Sequence, residues 1–378
     1  MTPWSLHAVG LASSLGLSSE EACAAARAGL VRVTAVDTLN TAIDPSLAKE
    51  TLDGVPPVVA HHVPTLAGGH AGLGKLIALA LPALDDLRQK HPLSGAQLSR
   101  TGLCLCLSDA FFLTRFGEAP EGLGDETPPS LAAAWQSITA RLPGQLCEAA
   151  QWPIPQPLRW TIAGGRLGLL GALHQASCWL ADGLIDRCLI GCIDSLIEPG
   201  VLSACATAGM VKTEANPVGF MPGEAAVFLL IEPTREGDPQ AAVQIISSHH
   251  TIDRPYLDPE QSPMGRGLAK TVIDARAGQP GMTPLVIADL NGTELRALDW
   301  GHALVLWRDR LGEFESEVWL PVESFGETGA AHAGLALCLA HEACHRGHAR
   351  SGEALVVLCG EGGGRGALRL RLHATPLQ

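Results

Sequence analysis

The chain has 378 residues, of which 47% are hydrophobic and only 17% are charged, and its formal net charge is −13. This balance requires a large core, and it excludes a surface built for nucleic acid or for an anionic membrane. No apolar run reaches the roughly 20 residues that span a bilayer, and the first residues do not begin a signal peptide. The eleven cysteines have neither disulfide-framework nor zinc-ligand spacing, so we expect a reduced, cytoplasmic protein without metal or other cofactors.

Before residue 160 the sequence alternates strand-like and helical segments. Ser18 and Glu21 form a capping box ahead of the first helix, and Pro82 predicts a kink in the second. The predicted elements are, in order, a strand, a helix, a long surface loop, a helix, a buried strand, a flexible loop and a helix: 4–11, 22–28, 31–65, 72–88, 101–107, 116–130 and 130–142.

The central stretch predicts a strand, a tight turn, a helix and two further buried strands. Residues 160–162 form a short apolar run that ends on Ala163-Gly164-Gly165. Leucines and a tryptophan then recur at helical spacing over 167–180, which indicates a central helix buried on all sides. The runs 187–193 and 227–231 are almost free of charge, as expected of strands covered on both faces.

The second half repeats the alternation of strands and helices. Strands are predicted at 241–247, 285–290, 355–359 and 368–372, and helices at 267–277, 294–306 and 328–346. A glycine-rich segment, 360–366, connects the last two strands.

Two short motifs carry a family resemblance. Gly191 to Ser195 reads GCIDS and Gly219 to Ala226 reads GFMPGEAA. Both motifs come after the segment that is predicted to form a strand, a turn and the central helix. This arrangement resembles the β-ketoacyl synthases of the thiolase superfamily. The resemblance covers nearly the whole chain and implies an α/β protein with the five-layer αβαβα thiolase fold. Its two similar βα halves are expected at 1–235 and 236–378, within one integrated fold.

The position of the family's nucleophilic cysteine holds an arginine. Counting back from Gly183 without a gap places Arg166 there, in the segment AGGRLG. No cysteine lies between residues 160 and 177. A guanidinium stays protonated and has no usable lone pair, so it cannot attack a thioester.

Both catalytic histidine positions of the family are also altered. The turn that reads His-Gly-Thr-Gly-Thr in elongating synthases reads Asn291-Gly-Thr-Glu here, and counting back from Gly329 puts Gly326 at the second histidine. Asparagine can donate to a thioester carbonyl but cannot shuttle a proton, and glycine can do neither. The resemblance therefore implies a synthase that is degenerate at Arg166, Asn291 and Gly326.

The remaining candidates for ligand binding are Asn291 and the glycine-rich segment, with Gly362, Gly363 and Gly364. That segment is similar to the family's oxyanion-side loop, but Glu361 stands where the family has an apolar gate. An acid there disfavours a developing oxyanion. The alternative interpretation is a tight connection between two strands.

Other reactive residues are interpreted as structural. Cys205 lies in SACATAG, which follows GCIDS and so cannot reach the nucleophile position, and Cys178 is expected to be a small core residue. His341 and His345 are four residues apart, but a solvated helix end is favoured over a metal site. His332 and His348 are assigned to the same solvated cluster.

Two functional hypotheses follow. In the first, the chain is a non-catalytic binding or adaptor protein, and the resemblance extends to synthase-like proteins associated with type VI secretion effector loci. In the second, it is an acyl-thioester enzyme (an acyltransferase, a decarboxylase or a synthase partner subunit) that uses Asn291 and the glycine-rich segment. The expected partners are a second copy or a synthase-like subunit, paired through the strand around Trp160, and an acyl carrier protein or a secreted effector.

Overall fold

The computed structural model describes residues 3–36, 58–63, 66, 69–116, 131–235, 243–258, 262–276, 284–312 and 316–373. The expected loops at 31–65 and 116–130 lie largely outside these residues, as does part of the boundary expected at 235/236. The described strands are β1 (Trp4–Ser13), β2 (Thr34–Val36), β3 (Val58–Ala60), β4 (Thr101–Leu107), β5 (Arg159–Ala163), β6 (Arg187–Ser195), β7 (Glu224–Pro233), β8 (Val243–Ile252), β9 (Leu285–Ile287), β10 (Val318–Trp319), β11 (Glu353–Cys359) and β12 (Gly364–Leu372).

The described helices are α1 (Ser19–Arg27), α2 (Gly72–Lys90), α3 (Gly95–Leu98), α4 (Phe111–Phe116), α5 (Leu131–Ala149), α6 (Gly168–Ala181), α7 (Pro199–Thr207), α8 (Arg266–Ala275), α9 (Glu294–Leu311), α10 (Val322–Phe325) and α11 (Ala331–His345). Ser18 caps α1 as expected, because its hydroxyl accepts from the Glu21 amide at 3.2 Å. Pro82 and Pro143 lie inside α2 and α5, and both helices continue past them.

The two halves of the chain repeat one strand order. The first half contributes β5-β4-β6-β7-β1 and the second contributes β10-β9-β11-β12-β8. In each half the three strands at the outer edge are parallel and the remaining neighbours are antiparallel. Three residue pairs between β1 and β8 join the halves into one ten-stranded sheet. Each half is therefore a mixed sheet, and the two sheets are continuous through β1 and β8.

Five layers follow from where the helices pack. Helix α2 covers the outer face of the first half, and α8 and α9 cover the second. Helix α11 packs between the halves, against β6 and β7 on one side and β11 and β12 on the other. This is the thiolase-like αβαβα arrangement that the sequence predicts.

Helix α6 is less enclosed than predicted. Leu173 and Trp179 are buried, and Leu170 is half-buried. His174 and Cys178, however, are exposed on the opposite face. The expectation of burial on all sides is therefore wrong for the single chain, because that face has no described element against it.

The core lies mainly in the first half and around α11. It joins β1, β4, β6 and β7 to α2, α6 and α11, and a smaller apolar cluster lies under α8 and α9. No helix in the described residues combines the length and the apolar character needed to cross a membrane.

Candidate functional site

The carboxyl ends of strands from both halves meet at one buried site. Arg166 follows β5, Asp289 and Asn291 follow β9, and Glu361 follows β11. Glu327 joins them from the segment between α10 and α11. In α/β folds, ligands bind at the loops that follow the carboxyl ends of parallel strands. A functional site is therefore expected at this position.

Arg166 stands in a single 3-10 turn between β5 and α6. Gly165, with φ of +54°, allows the sharp reversal after the strand. The turn directs the guanidinium inward, so that Arg166 is only 6% exposed. The sequence thus places an arginine, by this glycine turn, at the base of the site.

The Arg166 guanidinium is bound by three carboxylates. It forms an ion pair with Glu327, lies 3.3 Å (Nε) from Asp289 Oδ1 and 3.8 Å (Nη1) from Glu361 Oε1, and Nη1 also donates to the Cys359 carbonyl at 3.3 Å. Breaking such a buried pair is costly, because the remaining partner is left desolvated and uncompensated.

Arg296 on α9 completes the cluster. Its Nη1 lies 2.7 Å from Asp289 Oδ1, and its Nη2 pairs with Glu361. Asp289 therefore bridges the two arginines, and its other oxygen accepts from the Cys359 amide at 2.7 Å. Two arginine side chains thus face three acidic side chains where the two halves meet.

Asn291 belongs to the same network and has its hydrogen bonds occupied. Its amide nitrogen donates to Glu327 Oε2 at 2.8 Å. Its amide oxygen accepts from the Thr293 amide at 3.2 Å and from the Thr293 hydroxyl at 2.8 Å. Asn291 is buried and is not among the residues that line the cavity described below.

Gly326 brings no side chain to the site, but the adjacent residue Glu327 does. Gly326 has φ of +71°, and a Cβ there would lie 2.5 Å from the ring of His61. Glu327, the next residue, reaches Arg166 and Asn291 and also accepts from the Gly329 amide at 2.9 Å. The ungapped count missed this acid. The signal that could have found it is Gly326-Glu327-Thr328-Gly329, which is one residue shorter than the Gly-His-x-x-Gly of the family.

A third buried arginine extends the network outward. Arg365 Nε lies 2.8 Å from Asp299 Oδ2, which also accepts from the Tyr256 hydroxyl at 3.0 Å. The Arg365 guanidinium stacks 4.1 Å from the centre of the Tyr256 ring, and Arg296 lies 5.3 Å from the same ring. Tyr256 therefore packs against both arginines.

Burial and charge set the protonation of these groups. Burial acts to raise the pKa of Asp289, but the charges of Arg166 and Arg296 hold it below its usual range. Burial lowers the pKa of His332 to about 4, so the imidazole, 3.6 Å from Asp289, is neutral at neutral pH. The expectation that His332 belongs to a solvated helix end is thus wrong.

Two further acids face the site from the first half. Asp194, within GCIDS, accepts from the amides of Ala330 and Ser195, each at 2.9 Å, and burial raises its pKa to about 7. Burial also raises the pKa of Asp109, at the end of β4. These acids line the same cavity as Glu361.

The open space at the site is very small. A cavity of 50 Å³ is lined by four acids, Asp109, Asp194, Glu327 and Glu361, with Arg166 as its only guanidinium. Ligand sites generally occupy about 300–1,000 Å³, and one water takes about 30 Å³ of liquid. The arginine–carboxylate network fills most of the space at the meeting point of the strands.

The glycine-rich segment is a tight connection at the edge of this site. Gly360 donates to the Gly364 carbonyl at 2.9 Å, and the Gly363 carbonyl accepts from the Asp253 amide at 2.7 Å. Gly363 has φ of +98°. Gly362, Gly363 and Gly364 do not line the cavity, whereas Gly360 does. As ligand-binding residues, the three glycines remain a prediction.

The cysteines and the remaining histidines singled out from the sequence do not line the cavity at Arg166. Cys205 is fully buried on α7, and burial raises the pKa of its thiol well above the usual range. Cys178 is exposed, 3.8 Å from His174, so its assignment to the core was wrong. The rings of His341 and His345 stack with centroids 6.2 Å apart. Among the described residues, no three His, Cys, Asp or Glu side chains are arranged to hold a metal.

Comparison with solved structures shows the fold. The ishigamide ketosynthase/chain length factor is 19% identical, with 99% of this chain and 100% of that chain covered at a TM-score of 0.68. The type II polyketide synthase complex of the AntDE ketosynthase with its acyl carrier protein AntF is 14% identical, with coverage of 98% and 99% and a TM-score of 0.72.

A ketosynthase domain of oxazolomycin biosynthesis from Streptomyces albus JA3453 is 15% identical, with 100% of this chain and 75% of that domain covered at a TM-score of 0.73. No protein-family model and no curated protein matches the sequence. The chain therefore has the thiolase-like ketosynthase fold over its full length.

Proposed function

We propose that this chain is a non-catalytic relative of the ketosynthases, which keeps their fold and binds partner proteins instead of condensing acyl groups. One observation carries the proposal: the site is a 50 Å³ cavity bordered by Arg166 and four acids. An acyl chain and its thioester need several times that volume.

The chemistry of the three altered positions supports the same proposal. Arg166 cannot act as a nucleophile, and Asn291 cannot accept or donate a proton as a histidine does. Glu327 could in principle carry a proton. Its two oxygens, however, accept from Arg166, Asn291 and the Gly329 amide, so it serves as an anchor for the arginine.

The electrostatics of the cavity disfavour the alternative, an acyltransferase, a decarboxylase or a catalytic partner subunit. Such enzymes stabilise a developing oxyanion with donors that point into open space. Here Asp109, Asp194, Glu327 and Glu361 surround the cavity, and the single cation among the lining residues, Arg166, is already neutralised. A malonyl or acyl oxyanion would meet carboxyl groups.

We also propose candidate partner proteins for this chain. The AntDE ketosynthase is seen with an acyl carrier protein, and a carrier protein or a synthase-like subunit is a candidate partner here. An adaptor for a secreted effector, including one from a type VI secretion cluster, is a further candidate. Pairing with a second copy would use β5, the strand at the edge of the first half, where Trp160 is 39% exposed.

The test is covalent loading. Purified protein is incubated with acetyl-, malonyl- and longer acyl-coenzyme A and with acyl carrier protein thioesters, and its intact mass is measured. We expect no acyl adduct on any residue. An adduct that maps to Cys205, or to a residue of the Arg166 turn, would contradict the proposal.

Iodoacetamide serves as the control for access. Because Cys178 is exposed and the ten other cysteines are buried, native protein should gain a single carbamidomethyl group, and Cys178→Ser should gain none. The variant Arg166→Cys places a thiol at the position of the family's nucleophilic cysteine and serves as the comparison. It should be alkylated only slowly and should not condense malonyl thioesters, since Asn291 and Glu327 leave no histidine to promote decarboxylation.

A further inference from the structure

A second concave site lies at the end of the sheet that β10 forms. It lies between β10, helix α1 and the C-terminal end of α11, encloses 480 Å³, and shares no lining residue with the cavity at Arg166. This volume falls within the roughly 300–1,000 Å³ typical of ligand sites. We refer to it as the β10 cleft.

The walls of the β10 cleft are largely apolar. Trp319 lines it from β10, Leu320 from the residue after β10, Phe325 from α10, and Leu339 from α11. Trp319, Leu320 and Leu339 are only half-buried, and Val318 is 43% exposed. These side chains offer apolar area that no described residue covers.

Strand β10 also presents an open hydrogen-bonding edge to the cleft. It is the last strand of the sheet among the described residues. The carbonyls of Glu317 and Trp319 accept from the amides of Val286 and Ala288, each at 2.9 Å. Because a parallel ladder uses alternate residues, the amide and carbonyl of Val318 point away from β9. No described residue pairs with these groups, so they are the donor and acceptor that an added strand would use.

The helix ends at the cleft are basic. Arg27 belongs to the last turn of α1, Arg346 follows α11, and Arg350 lies beyond it. Arg27 and Arg350 have no ion pair with a described residue, whereas Arg346 pairs with Glu20 at 3.0 Å and with Glu342 at 3.7 Å.

Three acids also line the cleft, and only Glu342 is on the helix side, where Arg346 pairs with it. Glu317 and Glu323 stand on the β10–α10 wall, where Glu317 accepts from the Trp319 indole at 3.0 Å. Glu342, on the floor, is ionised: burial acts to raise its pKa, but the hydrogen bonds of His341 and Ser19 bring it to about 2. The helix side of the cleft therefore favours an acidic group on a ligand.

We propose that the β10 cleft binds an extended, acidic–apolar peptide segment of a partner protein. The segment adds as a strand beside β10, packs alternate apolar side chains against Trp319 and Leu339, and directs an acidic side chain toward Arg27 and Arg350. A peptide fits better than a lipid or another small molecule because only a main chain satisfies the Val318 amide and carbonyl while apolar side chains fill the cleft.

This inference is independent of the proposed function at Arg166. It requires neither an open nor a closed central cavity, because the two sites share no lining residue. A catalytic chain could carry the same peptide site.

The test uses a random linear heptapeptide library displayed on phage and selected against the full chain. Selected peptides are then synthesised and their affinity is measured by fluorescence anisotropy. We expect a consensus with apolar residues two apart and at least one acid. Arg350→Glu should weaken binding at least tenfold, and, since Arg350 is exposed and pairs with no described acid, it should leave the fold intact.

A matched pair at Val318 separates main-chain pairing from side-chain contact. Val318→Pro removes the outward amide and should abolish binding, whereas Val318→Ala keeps it and should weaken binding less than fivefold. Thermal unfolding reports whether each variant is folded. If Val318→Pro does not fold, the peptide affinities of Arg350→Glu and Val318→Ala still test the proposal. The proposal is overturned if no consensus emerges, or if the selected peptides bind wild type and Arg350→Glu equally.

Discussion

At the scale of single residues, the central site is governed by desolvation. Arg166 has left water, and burial together with the charge of Arg296 acts to lower its pKa. A guanidinium nonetheless stays protonated in proteins, so the cost of burying its charge must be met by carboxylates. Glu327, Asp289 and Glu361 meet it, and each of them in turn depends on an arginine.

Removing one cation should therefore cost more than an ordinary core substitution. We expect Arg166→Met to lower the free energy of unfolding by about 3–5 kcal/mol, because it leaves three clustered carboxylates with one arginine. The measurement is urea unfolding at pH 7. Arg310→Met is the control, since Arg310 is exposed and should change stability by about 0.5 kcal/mol or less. A loss as small as that of the control would show that the network is not stabilised by Arg166.

The buried carboxyl group of Asp194 should make the free energy of unfolding depend on pH. Burial raises its pKa from 3.8 in the unfolded chain to about 7. Between these values the native protein binds more protons than the unfolded chain, so this group removes stability as the pH rises from about 4 to about 7. Below pH 4 and above pH 7 its contribution is constant.

The neutral analogue Asp194→Asn should lack this dependence. The difference in unfolding free energy between wild type and Asp194→Asn should shift against wild type by up to about 1.4 kcal/mol per pH unit between pH 5 and pH 7. It should then level off above pH 7.5. Urea titrations at five pH values measure it, with Asp309→Asn, at an exposed position, as the control. A constant difference across this range contradicts the shift.

At the scale of elements, periodicity and turn chemistry predicted most of the secondary structure. The strand 101–107 is found at the same residues, and the capped first helix, the central helix and α11 lie within a few residues of their expected bounds. The short strands β2, β3 and β10 were not predicted, because two or three residues carry no period. The continuation of α5 through Pro143 was also missed, since a proline usually ends a helix unless tertiary packing holds it.

The site was predicted only in part, for a different physical reason. Arg166 and Asn291 lie at motif positions and were identified by their places in the chain. Arg296 and Glu361 meet because β9 and β11 are neighbours in the sheet, which no local pattern encodes. Glu327 was missed because one residue is absent from its turn. Long-range juxtaposition and single-residue gaps are both invisible to an ungapped count along the chain.

Alanine substitutions at two helical glycines should change the free energy of unfolding in opposite directions. On α9, a Cβ added at Gly301 would have nothing within 4 Å, so Gly301→Ala should stabilise by about 0.5–1 kcal/mol through helix propensity. On α11, a Cβ at Gly334 would lie 2.7 Å from Val227 Cβ and 3.0 Å from Cys192 Cβ. Gly334→Ala should therefore destabilise by about 1–3 kcal/mol despite the same gain in propensity. Thermal and urea unfolding measure both, and equal signs would contradict the close packing of α11 against β6 and β7.

At the scale of the whole molecule, the exposed edge and the exposed helix face lie on the same half. Strand β5 ends the sheet there, and α6, which packs against β4 and β5, leaves His174 and Cys178 uncovered. The low charged fraction of the chain fits a surface that is covered in an assembly. A second copy or a synthase-like subunit would cover both features at once.

We expect a dimer in light scattering at micromolar concentration. Thr161→Pro, in the middle of β5, should shift it toward monomer, because proline disturbs the strand that would pair across the dimer. Val318→Pro, at the opposite end of the sheet, is the matched control and should leave the dimer intact. A monomeric wild type, or equal effects of both prolines, would show that β5 is not the interface.

The pairing of β1 has a consequence for the order of events during synthesis. Strand β1 is buried along nearly its whole length, yet its partner β7 is translated ~220 residues later, and β8 later still. At about 5–20 residues per second, the ribosome needs roughly 10–40 s to supply them. During that interval a nascent chain displays an apolar ten-residue strand with no neighbour on either edge. Production of this protein should therefore depend on chaperones that hold the emerging chain, and slower translation of the first half should increase its aggregation.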